Sequence, residues 1–207
     1  MTAVVDYGVG NLFSLTCSLA KIGENAVVTG DRAVIEQADR IILPGVGAFG
    51  DAAGKLFASG LVPVLQEAAA KGVPLLGICL GMQLLFEKSF EYGEHKGLGL
   101  LKGEIVPIPG DELGLKVPHM GWNALDIVRE HPLLSGVRSG DCVYFVHSFY
   151  AAGCDDSVIA TAGYGMPLTA AVARGPVMGC QFHPEKSGDV GLAILRAFAG
   201  MKEGATC

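Results

Sequence analysis

Val73-Pro74-Leu75-Leu76-Gly77-Ile78-Cys79-Leu80-Gly81-Met82-Gln83-Leu84-Leu85-Phe86 reads as a buried strand that runs directly into a helix. Its first half is a short, almost wholly apolar run, as a strand covered on both faces requires. Its second half carries Leu80, Leu84 and Leu85 at helical spacing. Cys79 sits at the junction, with Gly77 and Gly81 two residues to either side. Glycine at those positions lets the backbone turn sharply and pass close to its neighbours while the cysteine is held in a constrained conformation. The pattern is that of a nucleophile elbow, G-x-nucleophile-x-G, with a thiol where hydrolases usually carry serine. At a helix N-terminus the unpaired N–H groups and the helix dipole favour the thiolate. The plainer alternative is a buried, inert cysteine in a strand that happens to end in glycine, since cysteine is among the most buried residue types.

The far end of the chain weakens that alternative. Val177-Met178-Gly179-Cys180-Gln181-Phe182 is a second short apolar run, followed directly by His183-Pro184-Glu185. A cysteine nucleophile needs a base, and the base needs an orienting group, normally a carboxylate on its other ring nitrogen. The i, i+2 spacing of His183 and Glu185 puts both side chains on one side of an extended segment, and Pro184 fixes φ between them. Cys79, His183 and Glu185 are therefore the candidate catalytic residues.

Composition sets the outer bounds. At 207 residues the chain is expected to be a single domain over residues 1–207, with residues 201–207 a frayed tail. Half of the residues are hydrophobic and 17% are charged, which argues against disorder. A net charge of −6 without a Lys/Arg cluster excludes nucleic acid as the expected partner. The six cysteines, at positions 17, 79, 142, 154, 180 and 207, show neither CxxC nor Cys/His ligand spacing, so no metal site and no disulfide framework are expected. The third glycine of a dinucleotide fingerprint beginning at Gly8 is replaced by Phe13, and no Lys-Ser/Thr follows the glycine-rich loop at residues 44–50. No cofactor is expected on these grounds. Ala3-Val4-Val5 begins a strand at once, without a basic region followed by an apolar one, and no apolar run reaches the ~18 residues of a membrane span. The expectation is a soluble cytoplasmic chain.

Strand and helix alternate in the first half. Residues 3–7, 25–29 and 40–43 read as strands, and Asn11 as the N-cap of a helix with Leu12, Leu15, Leu19 and Ile22 on one face. Helices are expected over about 52–57 and 61–71. Pro44-Gly45-Val46-Gly47-Ala48-Phe49-Gly50 is a loop whose free backbone N–H groups would face the nucleophile. Residues 87–102 are polar and glycine-rich. Beyond them, residues 103–108, 123–128, 141–150, 157–163, 168–173 and 177–182 read as short strands between turns, and 188–199 as a closing helix. The fold class is α/β: a mainly parallel central sheet with flanking helices and an antiparallel extension in the second half. Cys79 and His183 would meet at strand C-termini, where open α/β sheets place their sites.

Gly77-Ile78-Cys79-Leu80-Gly81-Met82-Gln83 together with Phe182-His183-Pro184-Glu185 resembles the class I glutamine amidotransferase family. Four further segments narrow the resemblance: residues 6–11 (Asp-Tyr-Gly-Val-Gly-Asn), 43–49 (Leu-Pro-Gly-Val-Gly-Ala-Phe), 116–123 (Lys-Val-Pro-His-Met-Gly-Trp-Asn) and 144–150 (Tyr-Phe-Val-His-Ser-Phe-Tyr). With Gln181 to Ser187 they are similar to the glutaminase subunits of imidazole glycerol phosphate synthases, over nearly the whole chain. The resemblance implies hydrolysis of glutamine to glutamate and ammonia. It also implies delivery of the ammonia to a (β/α)8 synthase subunit, held as a heterodimer, that makes imidazole glycerol phosphate and AICAR in histidine biosynthesis. It implies an oxyanion hole from Leu80 N–H and a backbone N–H of Val46 or Gly47, and glutamine binding by Gln83, His147 and Ser148. It places Asn11, Lys116, Pro118, Met120, Trp122, Asn123 and Lys186 toward the partner. Residues 118–123 mix aromatic, Met and glycine without periodicity, as an interface loop would.

Each of these residues also has a plainer reading: His147 a satisfied core histidine, Gln83 a solvent-facing helix residue, Trp122 part of the core. Two competing functions stand beside the resemblance. A thiol hydrolase of the α/β-hydrolase type shares the elbow but orders its triad nucleophile, acid, histidine, whereas here the carboxylate trails the histidine. A degenerate binding module should have lost a triad member, and none is missing.

Overall fold

The computed structural model describes residues 1–202 and Gly204. The first half alternates β1 (Thr2–Val5), α1 (Leu12–Lys21), β2 (Ala26–Thr29), α2 (Arg32–Glu36), β3 (Arg40–Gly45), α3 (Phe49–Ala58), α4 (Val62–Ala70), β4 (Leu75–Cys79) and α5 (Leu80–Leu84). After it come β5 (Lys88–Ser89), β6 (His95–Lys96), β7 (Glu104–Pro107), α6 (Gly110–Leu113), β8 (His119–Ile127), β9 (Cys142–His147) and β10 (Phe149–Ala152). β11 (Val158–Gly163), β12 (Pro167–Arg174), β13 (Val177–Cys180) and α7 (Gly188–Ala199) close the chain.

A nine-stranded sheet runs in the order β2-β1-β3-β4-β13-β12-β11-β8-β9. The pairs among β2, β1, β3, β4 and β13 are parallel, and from β13 to β9 every pair is antiparallel. The expected α/β class, parallel first and antiparallel later, is the class observed. A smaller sheet, β10-β7-β5-β6, packs beside it.

Alternation along the central strands explains why they sit inside. Ala3 and Val5, Ile41 and Leu43, and Leu75 belong to one apolar cluster; Val4, Ile42, Leu76 and Ile78 belong to another on the opposite face. Helices α2, α3 and α4 cover the first cluster with Ile35, Phe49, Leu56 and Leu65, and the small sheet adds Ile105 and Ala151. Leu15 and Leu19 of α1 and Ile194, Leu195 and Phe198 of α7 cover the second. Both faces of each strand lose water, which is why the strands read as continuous apolar runs.

Three departures from the sequence reading bear on the site. β3 runs on to Gly45, so Gly45 pairs with Cys79 at the sheet edge rather than beginning the loop. The expected strand over 141–150 is two strands, β9 in the large sheet and β10 in the small one, and Ser148 is the residue between them. The expected interface loop at 118–123 is instead the start of β8, paired antiparallel with β9 from His119↔His147 to Ala124↔Cys142. Its alternation buries His119 and Leu125 and exposes Met120, Trp122 and Ala124. The expected strand over 123–128 is the second part of β8; its first part passed unread because its outward face carries Met and Trp instead of polar residues.

Smaller departures follow from local chemistry. α3 begins at Phe49, and α2 and α6 are short helices without a marked apolar face. Met201, expected in the frayed tail, is tied down: its N–H donates to Phe198 O at 3.0 Å and its carbonyl accepts from Arg40 Nη1 at 2.9 Å. Most of the remaining tail lies outside the described residues.

Candidate active site

The elbow is built as its spacing requires. Cys79 caps α5 with φ +54 and ψ −113, a conformation that L side chains rarely adopt. The glycines around it are there because backbone fills the space a side chain would need. A Cβ on Gly81 would lie 1.8 Å from Leu43 O, and one on Gly77 would lie 2.6 Å from Gly81 O and Met82 Cα. On the neighbouring strand, a Cβ on Gly45 would meet Gly81 N at 2.7 Å. Strand, turn and helix thus close on each other without intervening side chains and aim Cys79 out of the C-terminal edge of the sheet.

β13 lies beside β4, with Cys180 opposite Ile78, so the chain leaving β13 brings His183 to the same edge. His183 Nδ1 is 2.8 Å from Glu185 Oε1, with both side chains 3% exposed. A carboxylate only accepts, so Nδ1 is the protonated nitrogen and Nε2 is left for the nucleophile's side. Glu185 Oε2 is buried without a hydrogen-bond partner, so the carboxylate is spent on one bond to the ring. Burial by itself draws the His183 pKa down. Hydrogen bonding and charge from Cys79 and Glu185 outweigh it and lift the pKa to about 9. The shift favours the protonated ring, the form able to act as an acid.

Cys79 and His183 line a pocket of about 340 Å³ together with Val46, Gly47, Leu80 and Gln83. Pro118, His147 and Ser148 contribute to its wall, and Glu91 is its acidic side chain. Gln83 is buried rather than solvent-facing: its Nε2 donates to Phe149 O at 3.2 Å and to Gln181 Oε1 at 3.0 Å. Gln181 Nε2 in turn lies 3.9 Å from Cys79 Sγ. His147 is buried with both ring nitrogens engaged, Nδ1 at 2.8 Å from Phe149 O and Nε2 at 3.0 Å from His119 Nδ1. Leu80 N–H opens α5, where no helical acceptor is available. Gly47, at φ +91 with open space where a Cβ would be, follows Val46 in the facing loop.

The residues expected at a partner surface are only partly on one face. Met120 and Trp122 are 65% and 58% exposed and share the outer side of β8, with exposed Lys116 and Pro118 just before them. Trp122 meets Tyr144 across the strand pair, and Lys186 Nζ lies 5.9 Å from the Tyr144 ring. The Asn123 amide is committed inward, to Gly163 O at 2.8 Å and His119 at 3.1 Å. Asn11 lies behind the histidine and carboxylate: it caps α1 through Ser14 N–H and lines a small cavity shared with His183 and Glu185.

Sequence reasoning missed the pocket residue Glu91 and two polar residues behind the pocket, Gln181 and His119. Glu91, in the polar stretch 87–102, accepts from Phe49 N–H at 2.6 Å and so also caps α3. His119 takes its place from the pairing of β8 with β9, and Gln181 follows directly on β13, its N–H donating to Ala170 O at 2.8 Å. Among the described residues no group of three His, Cys, Asp or Glu side chains could hold a metal ion, and no helix is long and apolar enough to cross a membrane.

Comparison with known proteins agrees with this geometry. Residues 3–199 match the family described as Glutamine amidotransferase class-I. The imidazole glycerol phosphate synthase subunit HisH of Syntrophotalea carbinolica is 52% identical, the alignment covering 97% of this chain and 100% of that one. The protein of the same name from Geobacillus kaustophilus is 50% identical over 99% and 98% of the two chains. A solved glutamine amidotransferase superposes with a TM-score of 0.75 at 20% identity, over 96% of this chain and 99% of that one. The structure of PurLQS from Thermotoga maritima superposes with 0.73 at 23% identity, over 95% and 96%. With the elbow, the His-Glu pair and the mixed sheet in place, the chain belongs to the class-I glutamine amidotransferases and, among them, to the family of imidazole glycerol phosphate synthase HisH subunits.

Proposed function

We propose that the chain, as one amidotransferase domain, hydrolyses the side-chain amide of glutamine and passes the ammonia to a (β/α)8 synthase subunit. In that cytoplasmic heterodimer the ammonia enters the synthesis of imidazole glycerol phosphate and AICAR in histidine biosynthesis. The observation that carries the reading is the His183 ring, oriented by Glu185 at 2.8 Å, lining one pocket with Cys79.

The Cys79 sulfur, as thiolate, adds to the amide carbon, and the carbonyl oxygen takes up the negative charge. Leu80 N–H and an N–H at Val46 or Gly47 stabilise that oxyanion, and one such donor is worth roughly 2.7–4 kcal/mol in the transition state. His183 gives its Nε2 proton to the departing nitrogen, the C–N bond breaks, and ammonia leaves a thioester on Cys79. Water then adds to the thioester, His183 takes its proton, and glutamate is released with the thiolate restored. Gln83 and Ser148 face the substrate, and the Glu91 carboxylate is the charge complement for its α-ammonium group. Lys116, Pro118, Met120, Trp122 and Lys186 form the surface toward the synthase, whose acceptor site the ammonia must reach without passing through bulk water.

The test uses the assembled complex. Cys79→Ser is expected to abolish imidazole glycerol phosphate formation from glutamine while leaving formation from added ammonium salt intact, because only hydrolysis uses the thiol. Loss of both activities would make Cys79 structural, and retention of both would remove it from the reaction.

A further inference from the structure

Behind the pocket, a line of hydrogen bonds runs from the exposed strand β8 to the nucleophile, and the donor sense of its links is fixed. Asn123 Oδ1 accepts from Ala124 N–H at 2.9 Å and Nδ2 donates to Gly163 O at 2.8 Å, which settles the amide's orientation. The same Nδ2 lies 3.1 Å from His119 Nε2, so that nitrogen accepts and bears no proton. The proton of neutral His119 is then on Nδ1, 3.0 Å from His147 Nε2. From the other end, Phe149 O can only accept, so the proton of His147 is on Nδ1, 2.8 Å away, and its Nε2 accepts. Both ends demand the same bond: His119 Nδ1–H donates to His147 Nε2.

Burial keeps both rings in the form this needs. It holds His119 below the usual histidine range. It draws His147 down to about 4, against the bond to Phe149 O and with the charges of His119 and His183 adding to it. A second proton on His147 would set N–H against N–H. Beyond His147 the line continues. Phe149 O also accepts from Gln83 Nε2, Gln83 Nε2 donates to Gln181 Oε1, and that contact turns Gln181 Nε2 toward Cys79 Sγ at 3.9 Å.

We infer that His119, which does not touch the nucleophile, is a positioning residue for the reaction at Cys79. The proton it directs at His147 holds the Phe149 carbonyl, and through it the amides of Gln83 and Gln181, in the orientation that presents an N–H to Sγ. Without that donor, His147 Nε2 is a buried acceptor with no partner, and the ring gains by turning away from Phe149. The inference rests on the glutaminase reading of the pocket for its kinetic consequence, though not for its effect on the thiol itself.

Two variants separate positioning from packing. The His119 ring stacks on Phe145 (centroids 4.8 Å apart) and on Tyr164 (4.2 Å). His119→Phe keeps the stacks and deletes both nitrogens. His119→Asn gives up the stacks but sets an amide N–H where Nδ1 was. For glutamine turnover in the assembled complex, His119→Phe, which keeps the stacks but leaves His147 Nε2 unpaired, is expected to lose less thermal midpoint than His119→Asn while kcat falls about tenfold or more. His119→Asn is expected to lose thermal midpoint while kcat stays within about threefold of wild type. A purely structural role reverses that order. The inference is overturned if kcat of His119→Phe stays within about twofold of wild type, or if His119→Asn falls as far as His119→Phe. Site-resolved alkylation of Cys79 by iodoacetamide gives a second reading that needs no substrate, slowed at least about threefold in folded His119→Phe, and an unchanged rate sinks the idea. If the wild-type complex releases no ammonia from glutamine, the glutaminase reading fails instead, and the alkylation comparison still decides the role of His119.

Discussion

His183 carries the site's least expected property, a pKa of about 9 on a ring that burial alone would make neutral. The excess comes from Cys79 and Glu185, and it has a sign in stability as well as in catalysis. The folded pKa lies above the unfolded value of about 6.5, so the stabilisation is fully present below pH ~6.5 and is lost as pH rises through 9. Glu185→Gln is close to isosteric and removes the charge, so the His183 midpoint followed by NMR is expected to fall. Turnover should drop without unfolding of the chain, since the variant keeps an acceptor for Nδ1. The stability gap between wild type and variant should be widest near pH 6 and shrink above pH ~9, and a gap equal at both ends would deny the carboxylate its electrostatic role. This part of the site was legible because its chemistry is local: Gly77 and Gly81 each lie two residues from Cys79, and Glu185 lies two residues from His183. Gln181, Glu91 and His119 were not legible, because their roles depend on which groups strand pairing brings within about hydrogen-bond reach.

At the scale of the element, the β4–α5 junction trades stability for the aim of one side chain. Cys79 at φ +54 stores strain that alanine would keep and glycine would release. Strain of this kind is worth on the order of 1–3 kcal/mol, and the extra freedom of glycine in the unfolded chain takes back about 0.4–1. Cys79→Gly should therefore be more stable than Cys79→Ala by about 1 kcal/mol, although glycine is normally the worse choice. Urea unfolding midpoints decide it, and an alanine variant equal to or more stable than the glycine variant would mean that the elbow is relaxed. The elbow was readable from spacing alone, since only glycine tolerates backbone at 1.8–2.7 Å from where Cβ would be. Strand β8 was not. Gly121 at φ +127 and the preceding Pro118 imitate loop chemistry, and pairing with β9 overrides them.

At the scale of the whole molecule, the pocket opens near a face that this chain does not cover. Met120 and Trp122 stand out from β8, whose strand also carries His119 and Asn123, while Pro118 lines both that face and the pocket. On the proposed function, glutamine hydrolysed with no acceptor for the ammonia is wasted, so the economical arrangement would leave the site incomplete until a synthase with its own substrate bound docks on that face. The part easiest to leave incomplete is the oxyanion donor proposed for the loop after β3. Val46 is flanked by Gly45 and Gly47, and Gly47, at φ +91 with nothing within 4 Å of a Cβ position, allows the adjoining peptide plane to turn at low steric cost. With a carbonyl facing the pocket, the developing oxyanion is repelled; with an N–H there, it is held. A partner that favours the second orientation raises turnover by the free energy it spends on the loop and no more. The isolated chain should thus be a poor glutaminase, improved by the synthase and improved again when the synthase's own substrate binds there. Turnover of glutamine measured in those three states decides it. Three rates within about twofold, less than roughly 0.5 kcal/mol of coupling, would leave the loop ungated and the resting site already complete.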